Sequence, residues 1–347
     1  MSAWDGGSQT DVRMDEDPRL RPEREAVVGS AGRRRHPGRG ERLMVPEAEF
    51  RSYYGQPVLN RPTWKAHDIA GYLFLGGLAG ASSTLAAAAE LTGRPRLARA
   101  GKVGALCALG GSLYALIHDL GRPERFLYML RVFKVTSPMS VGTWILTVYG
   151  PQAGVAAATA VTGLFPRLGR AATVGAALTG PAVATYTAAL ISNTAVPLWH
   201  DGHREMPLLF AGSAAAAAGG LGLLAAPLDE AGPARRAALA GVAVEYAAAK
   251  QMERRLGPVA EPLKRGDGGR LLRLGEALSL TGVLIAQAAG RRRRPAAVVA
   301  GLALLAGSAC TRFGLFQAGM ASSLDPKYTV EPQRARLART GTGADGT

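Results

Sequence analysis

Cysteine is nearly missing from this sequence. Its 347 residues include two, Cys107 and Cys310, each inside an apolar run. Two separated thiols cannot hold an iron–sulfur cluster, which needs clustered thiolates. The five histidines avoid the middle of every apolar run, so a bis-histidine haem held at membrane depth is not expected, and no metal site is assigned. Charged residues are also sparse, at 19% against about 25% in ordinary soluble proteins. The apolar runs lack the period-two alternation of a membrane barrel wall. These shortages exclude a chain with its own redox centre and a β-barrel.

The charge that is present is clustered. Asp68 and Glu90 bracket one uncharged run, Lys134 and Arg167 a second, Arg170 and His200 a third, and Glu205 and Asp229 a fourth. A helix crossing the hydrocarbon core needs about 20 mostly apolar residues. The pattern therefore predicts an all-α integral membrane protein. The net charge of +15 invites a nucleic-acid reading, but the basic residues sit at the ends of apolar runs, where the positive-inside bias and anionic headgroups account for them. No nucleic-acid-binding signature accompanies them, so membrane lipid is the expected partner and nucleic acid is not.

Eight spans are expected, at about 69–89, 103–117, 140–164, 171–191, 208–226, 237–249, 277–290 and 296–311. The second is short unless Lys102 snorkels. Pro151 and Pro181 fall inside the third and fourth, where proline kinks helices. The sixth is weakened by Glu245. Stretches such as GGLAGASS and AGSAAAAAGG bring membrane helices into close backbone contact. Residues 1–45 show no hydrophobic period and read as a disordered polar extension. Residues 46–200 carry the first four spans, 201–325 the second four, and 326–347 a polar tail. Lys and Arg are in excess on the side of the termini, which predicts cytoplasmic termini, although Arg291–Arg294 pulls the other way.

Helix parity collects the unusual polar residues on that same side. His67 and Asp68 precede the first span, His118 and Asp119 end the second, and Asn193 follows the fourth. Tyr114 and Tyr186 lie deeper, each needing a hydrogen-bond partner: a backbone carbonyl or a ligand. Trp64, Trp144 and Trp199 read as interfacial belt residues. Between spans two and three lies a basic loop with Arg122, Arg125, Arg131 and Lys134, which either touches lipid phosphates or docks a partner. Its FLYMLRVF stretch suits an interfacial amphipathic helix. Glu90 closes the first span on the opposite side. Glu245 either pairs with Lys250 or joins a proton path with Glu90.

Three composite motifs carry a resemblance: TWKAHDIAGYLFLGGLAGAS at 63–82, HDLGRPERFLYMLRVFKVTSPMSVGTW at 118–144, and ISNTAVPLWHDGHREMPLLFAGSAAAAAG at 191–219. In this order they resemble the NrfD family of membrane subunits related to polysulfide reductase, over about 51–330. The resemblance implies about eight transmembrane helices in two four-helix bundles, a multi-pass protein of the plasma membrane, and a quinone pocket in the first bundle. It implies partners too: a ferredoxin-like iron–sulfur subunit and a molybdopterin catalytic subunit. The chain itself would exchange electrons with menaquinone or ubiquinone. The quinone role carries over first to His67, Asp68 and Tyr186, then to Tyr114, His118, Asp119 and Asn193. The alternatives are a secondary transporter, with helices broken at Pro151 and Pro181 and charged Glu245 forming a midplane substrate site, and a passive anchor.

Overall fold

The structure, a computed structural model, describes residues 58–344 except Arg61, Gly121 and Pro123; the side chains of Arg125, Leu127 and residues 337–344 also lie outside the described residues. So does the N-terminal extension. All regular structure among the described residues is helical. Long helices are α1 (Ala66–Leu91), α2 (Pro95–Asp119), α4 (Pro138–Thr162), α5 (Pro166–Ser192), α7 (Met206–Ala225), α8 (Gly232–Leu256), α9 (Gly266–Ala288) and α10 (Arg294–Leu324). Short helices α3 (Arg125–Tyr128) and α6 (Pro197–Asp201) sit in connections. Arg61–Ser322 packs as one unit. Beyond it, α11 (Lys327–Ala344) carries Pro332 within it.

Proline and glycine set the helix ends. Proline stands in the first turn of α2, α4, α5, α7 and α8, where a missing N–H costs nothing. α4 stops at Gly163 in the left-handed region, the usual C-terminal device. Distant side chains cap other ends. Glu230 Oε2 accepts from the backbone N–H of Arg96 at 2.7 Å and Leu97 at 3.0 Å. Arg294 donates to the carbonyls of Leu223 at 2.8 Å and Ala226 at 2.6 Å, so one of the four arginines at 291–294 closes the C-terminus of α7.

Among the described residues, six helices, α1, α2, α5, α7, α9 and α10, are long and apolar enough to cross a membrane. α4 and α8 match them in length, at 25 residues each, but carry Pro151 and Gln152, and Glu245 with five Lys or Arg residues, respectively. Each expected span lies on one long helix; the spans at 140–164, 208–226 and 277–290 overrun their helix ends by one or two residues, and the other helices outrun their spans. Lys102 lies within α2 and pairs with Glu90 at 2.6 Å; an ion pair does what snorkelling was expected to do. α10 continues past Thr311 to Leu324. Pro151 and Pro181 stand inside continuous helices, which removes the broken helices on which the transporter alternative rested. Of FLYMLRVF, residues 126–133, only 126–128 are helical, as the end of α3.

The small residues bring backbones together as expected. α1 crosses α5 where Gly80 meets Gly180: a Cβ on Gly80 would lie 2.2 Å from the Gly180 carbonyl oxygen. α7 crosses α8 in the same way, where a Cβ on Gly212 would lie 2.5 Å from the Glu245 nitrogen. α1, α2, α4 and α5 pack on one another, α7 packs on α8, and α1 also packs on α7. Trp199 corrects the belt reading. It is fully buried, donates to the Leu315 carbonyl at 3.0 Å, and is flanked by Trp64 and Phe316 with ring centroids at 6.0 and 5.3 Å.

Candidate functional site

The start of α1 meets the end of α2. Asp68 is 5% exposed, and its two carboxylate oxygens face two imidazoles. His118 Nδ1 lies 2.9 Å from Oδ2, and His67 Nε2 lies 3.3 Å from Oδ1. Adjacent helices of opposite direction bring sequence-distant ends together, so a contact spanning 50 residues follows from a short turn. The two rings are 6.3 Å apart. Tyr114, one turn before His118, stacks on it at 5.9 Å. A buried carboxylate needs hydrogen-bonding partners, and both partners here are imidazoles. One donor atom from each of the three lies within 4.8 Å of the others, so they form a potential ligand set.

The remaining residues expected at the site are placed less uniformly. Tyr186 lies off the triad. Its ring meets Tyr72 edge-on at 6.4 Å, one helical turn from Asp68, and its buried hydroxyl has no hydrogen-bond partner among the described residues. Tyr114 is 71% exposed, so the phenol expected at depth stands on the outer surface of the helices rather than among them. Asn193 is exposed at the end of α5, and Asp119 is half-buried at the end of α2. In the basic loop, Arg122, Arg131 and Lys134 are exposed; Arg131 lies over the Tyr128 ring. The Arg125 side chain lies outside the described residues. Trp144 packs edge-on to Phe133 at 6.1 Å, with its buried Nε1 unpartnered.

A second polar region was scarcely legible. A cavity of about 320 Å³ lies among α7, α8, α9 and α10, lined by Glu245, Lys250, Glu253, Glu276, Ser279 and Thr311 among others. Glu245 is 8% exposed, and its Oε2 has no hydrogen-bond partner among the described residues. It does not pair with Lys250, which instead approaches Glu253 at 3.5 Å and Glu276 at 3.7 Å. The polar neighbours of Glu245 are Thr311, Ser213 and Arg312. Arg312, the first residue after the expected eighth span at 296–311, is 1% exposed. It lies 3.6 Å over the Phe210 ring and donates to the Phe210 carbonyl at 2.7 Å. The signal that marks it is the second apolar stretch FGLFQAGM directly after it: a cation between two apolar runs lies inside a helix, not at its end.

Between the two regions, Arg255 clamps Glu205 with donors 2.6 Å from each carboxylate oxygen. Those hydrogen bonds hold the Glu205 carboxyl below the usual glutamate range against the opposing effect of burial.

Long apolar helices joined by glycine crossings, with ionisable groups gathered at helix ends, define a multi-pass membrane protein. Comparison with known families then gives its kind. The family described as polysulphide reductase, NrfD, matches residues 59–236, just over half of the chain, from before α1 into α8. The chain belongs to the NrfD family. No curated protein matches it.

Proposed function

We propose that the chain is the membrane anchor through which the quinone pool exchanges electrons with the iron–sulfur subunit of a molybdopterin-type oxidoreductase. The observation that carries this reading is the buried Asp68 held between His118 and His67 at one end of α1 and α2, inside the segment that matches the NrfD family. Menaquinone or ubiquinone is the lipid substrate. Its reduction takes two electrons and two protons, and neither crosses hydrocarbon unaided. A site at a helix end, near the interface, suits both needs. The imidazole N–H groups donate to a quinone carbonyl. Asp68 holds their orientation and passes the proton between the site and water. The unpartnered Tyr186 hydroxyl offers a donor from α5, and Tyr114, Asp119 and Asn193 complete the surroundings.

On this reading all eight long helices cross the plasma membrane as two groups of four, within 46–200 and 201–325, followed by a tail at 326–347 and with the termini in the cytoplasm. Arg122, Arg125, Arg131 and Lys134 dock an acidic face of the iron–sulfur subunit. Glu245, with a bare oxygen beside a cavity, and Glu90 beside Lys102 belong to a proton path. Binding of a short-tailed quinone analogue to the purified chain, followed by quenching of tryptophan fluorescence, tests the reading. Saturable binding weakened in Asp68→Asn supports it. Saturable binding equal in both proteins moves the quinone away from Asp68, and the absence of saturable binding leaves a passive anchor.

A further inference from the structure

We propose that His67, Asp68 and His118 form a site for a divalent transition-metal cation of the zinc class, and that its occupation closes the site to quinone chemistry. The second half rests on the function proposed above; the first half does not.

The donor set is built for such a cation. It offers two imidazole nitrogens and one carboxylate oxygen, all within 4.8 Å of one another. Nitrogen with a single carboxylate suits zinc, cobalt or nickel, whereas calcium and magnesium take oxygen ligands. Zinc bonds of about 2.0–2.2 Å to such donors place tetrahedral ligand atoms a little over 3 Å apart. Each imidazole nitrogen already stands about that far from a carboxylate oxygen: His118 Nδ1 is 2.9 Å from Oδ2, and His67 Nε2 is 3.3 Å from Oδ1. Three protein ligands leave a fourth position open to water, as in exchangeable rather than structural sites. The scaffold is stiff: the donors come from the ends of two helices packed along their length, and Tyr114 stacks on the His118 ring. Access is provided too. The side chains of His67 and His118 are 70% and 46% exposed, while that of Asp68 is 6% exposed. A cation therefore arrives at the rings and is neutralised by the carboxylate beneath them.

The same lone pairs cannot hold a metal and a proton together. A bound cation removes both imidazoles from proton exchange and occupies the carboxylate that orients them. A micronutrient metal thereby acts as a brake on the quinone reaction. His200 and His203 offer a comparison pair: their rings are 6.3 Å apart and both residues are exposed, but His203 Nδ1 lies 2.9 Å from the His200 carbonyl.

Cobalt titration of the metal-stripped, tag-free full chain tests the site through the visible absorption of four-coordinate Co²⁺. One equivalent is expected to bind and to be displaced by Zn²⁺. Losing even a residue that supports a metal ligand costs about 10–100-fold in affinity. Asp68→Asn and His118→Gln, checked as folded by their melting curves, should therefore weaken binding at least about 10-fold, while His200→Ala/His203→Ala leaves it unchanged. A wild-type chain without the cobalt spectrum overturns the site, as does a spectrum kept in both triad variants. The brake is read separately, as Zn²⁺ inhibition of quinone turnover in the assembled complex. Stoichiometric binding without inhibition overturns the brake. Turnover indifferent to Asp68→Asn, with cobalt binding lost in that variant, sinks the quinone assignment and leaves the metal site standing.

Discussion

Oδ2 of Asp68 and Nδ1 of His118, 2.9 Å apart, tie the start of α1 to the end of α2 through a carboxylate that water scarcely reaches. The partner imidazole of His67 is longer-ranged, at 3.3 Å, and more exposed. The two histidines are therefore unequal. His118→Gln should lower quinone-linked turnover about 100-fold or more, the scale of a lost general acid–base, and His67→Gln should cost less. Steady-state rates at equal amounts of assembled complex measure both. A larger loss for His67→Gln contradicts the ranking.

The α1–α5 crossing depends on glycine. Gly80→Ala forces a methyl against the Gly180 carbonyl, whereas Gly71→Ala meets nothing within 4 Å. Overpacking of this kind costs about 1–3 kcal/mol. Thermal denaturation in detergent should separate the two variants, with Gly71→Ala close to wild type. Equal melting temperatures contradict the crossing.

Arg312 and Glu245 lie buried near each other in the second polar region. Removing one member of a buried charged pair typically costs about 3–5 kcal/mol, because the other is left uncompensated. Arg312→Leu and Glu245→Leu should each destabilise strongly. The double variant should lose less than the sum, with a coupling of about 0.5–3 kcal/mol. Strict additivity in denaturation experiments contradicts the pairing.

Acid sensitivity should trace to Glu205. Its carboxyl is held below the ordinary value of 4.5, chiefly by hydrogen bonds from Arg255. A carboxyl whose folded pKa is depressed contributes stability that is fully present above its unfolded value and lost as pH falls through the folded one. Melting temperature should be insensitive to this group above about pH 4.5 and fall below it, and Glu205→Gln should flatten that part of the profile. An unchanged acid slope in Glu205→Gln contradicts the assignment.

Much of this architecture is legible in the sequence, because membrane helices announce themselves by uninterrupted apolar composition. The runs 69–89 and 171–191 lie inside α1 and α5. Parity then placed His67, Asp68 and His118 at one end, since short turns leave consecutive helices antiparallel. The expectation failed where a charge was read as a boundary. Arg312 directly follows the expected eighth span, yet it lies inside the protein, over the Phe210 ring, donating to the Phe210 carbonyl and neighbouring Glu245. Lys102 was given to the interface, yet Glu90 holds it. Trp199 was assigned to the headgroup belt, yet it fills the core between Trp64 and Phe316. Composition shows that such a residue needs a partner; the partner is fixed only by how the helices pack. The exposure of Tyr114 was hidden for the same reason, because depth along a helix does not reveal which way a side chain points.

The most direct test of the quinone site is turnover of the complex carrying Asp68→Asn, a change that keeps shape and removes charge. At wild-type levels of assembly, the account predicts that exchange with quinone falls about 100-fold or more while electron transfer from the catalytic subunit to an artificial acceptor is retained. Wild-type quinone turnover in that variant contradicts the account.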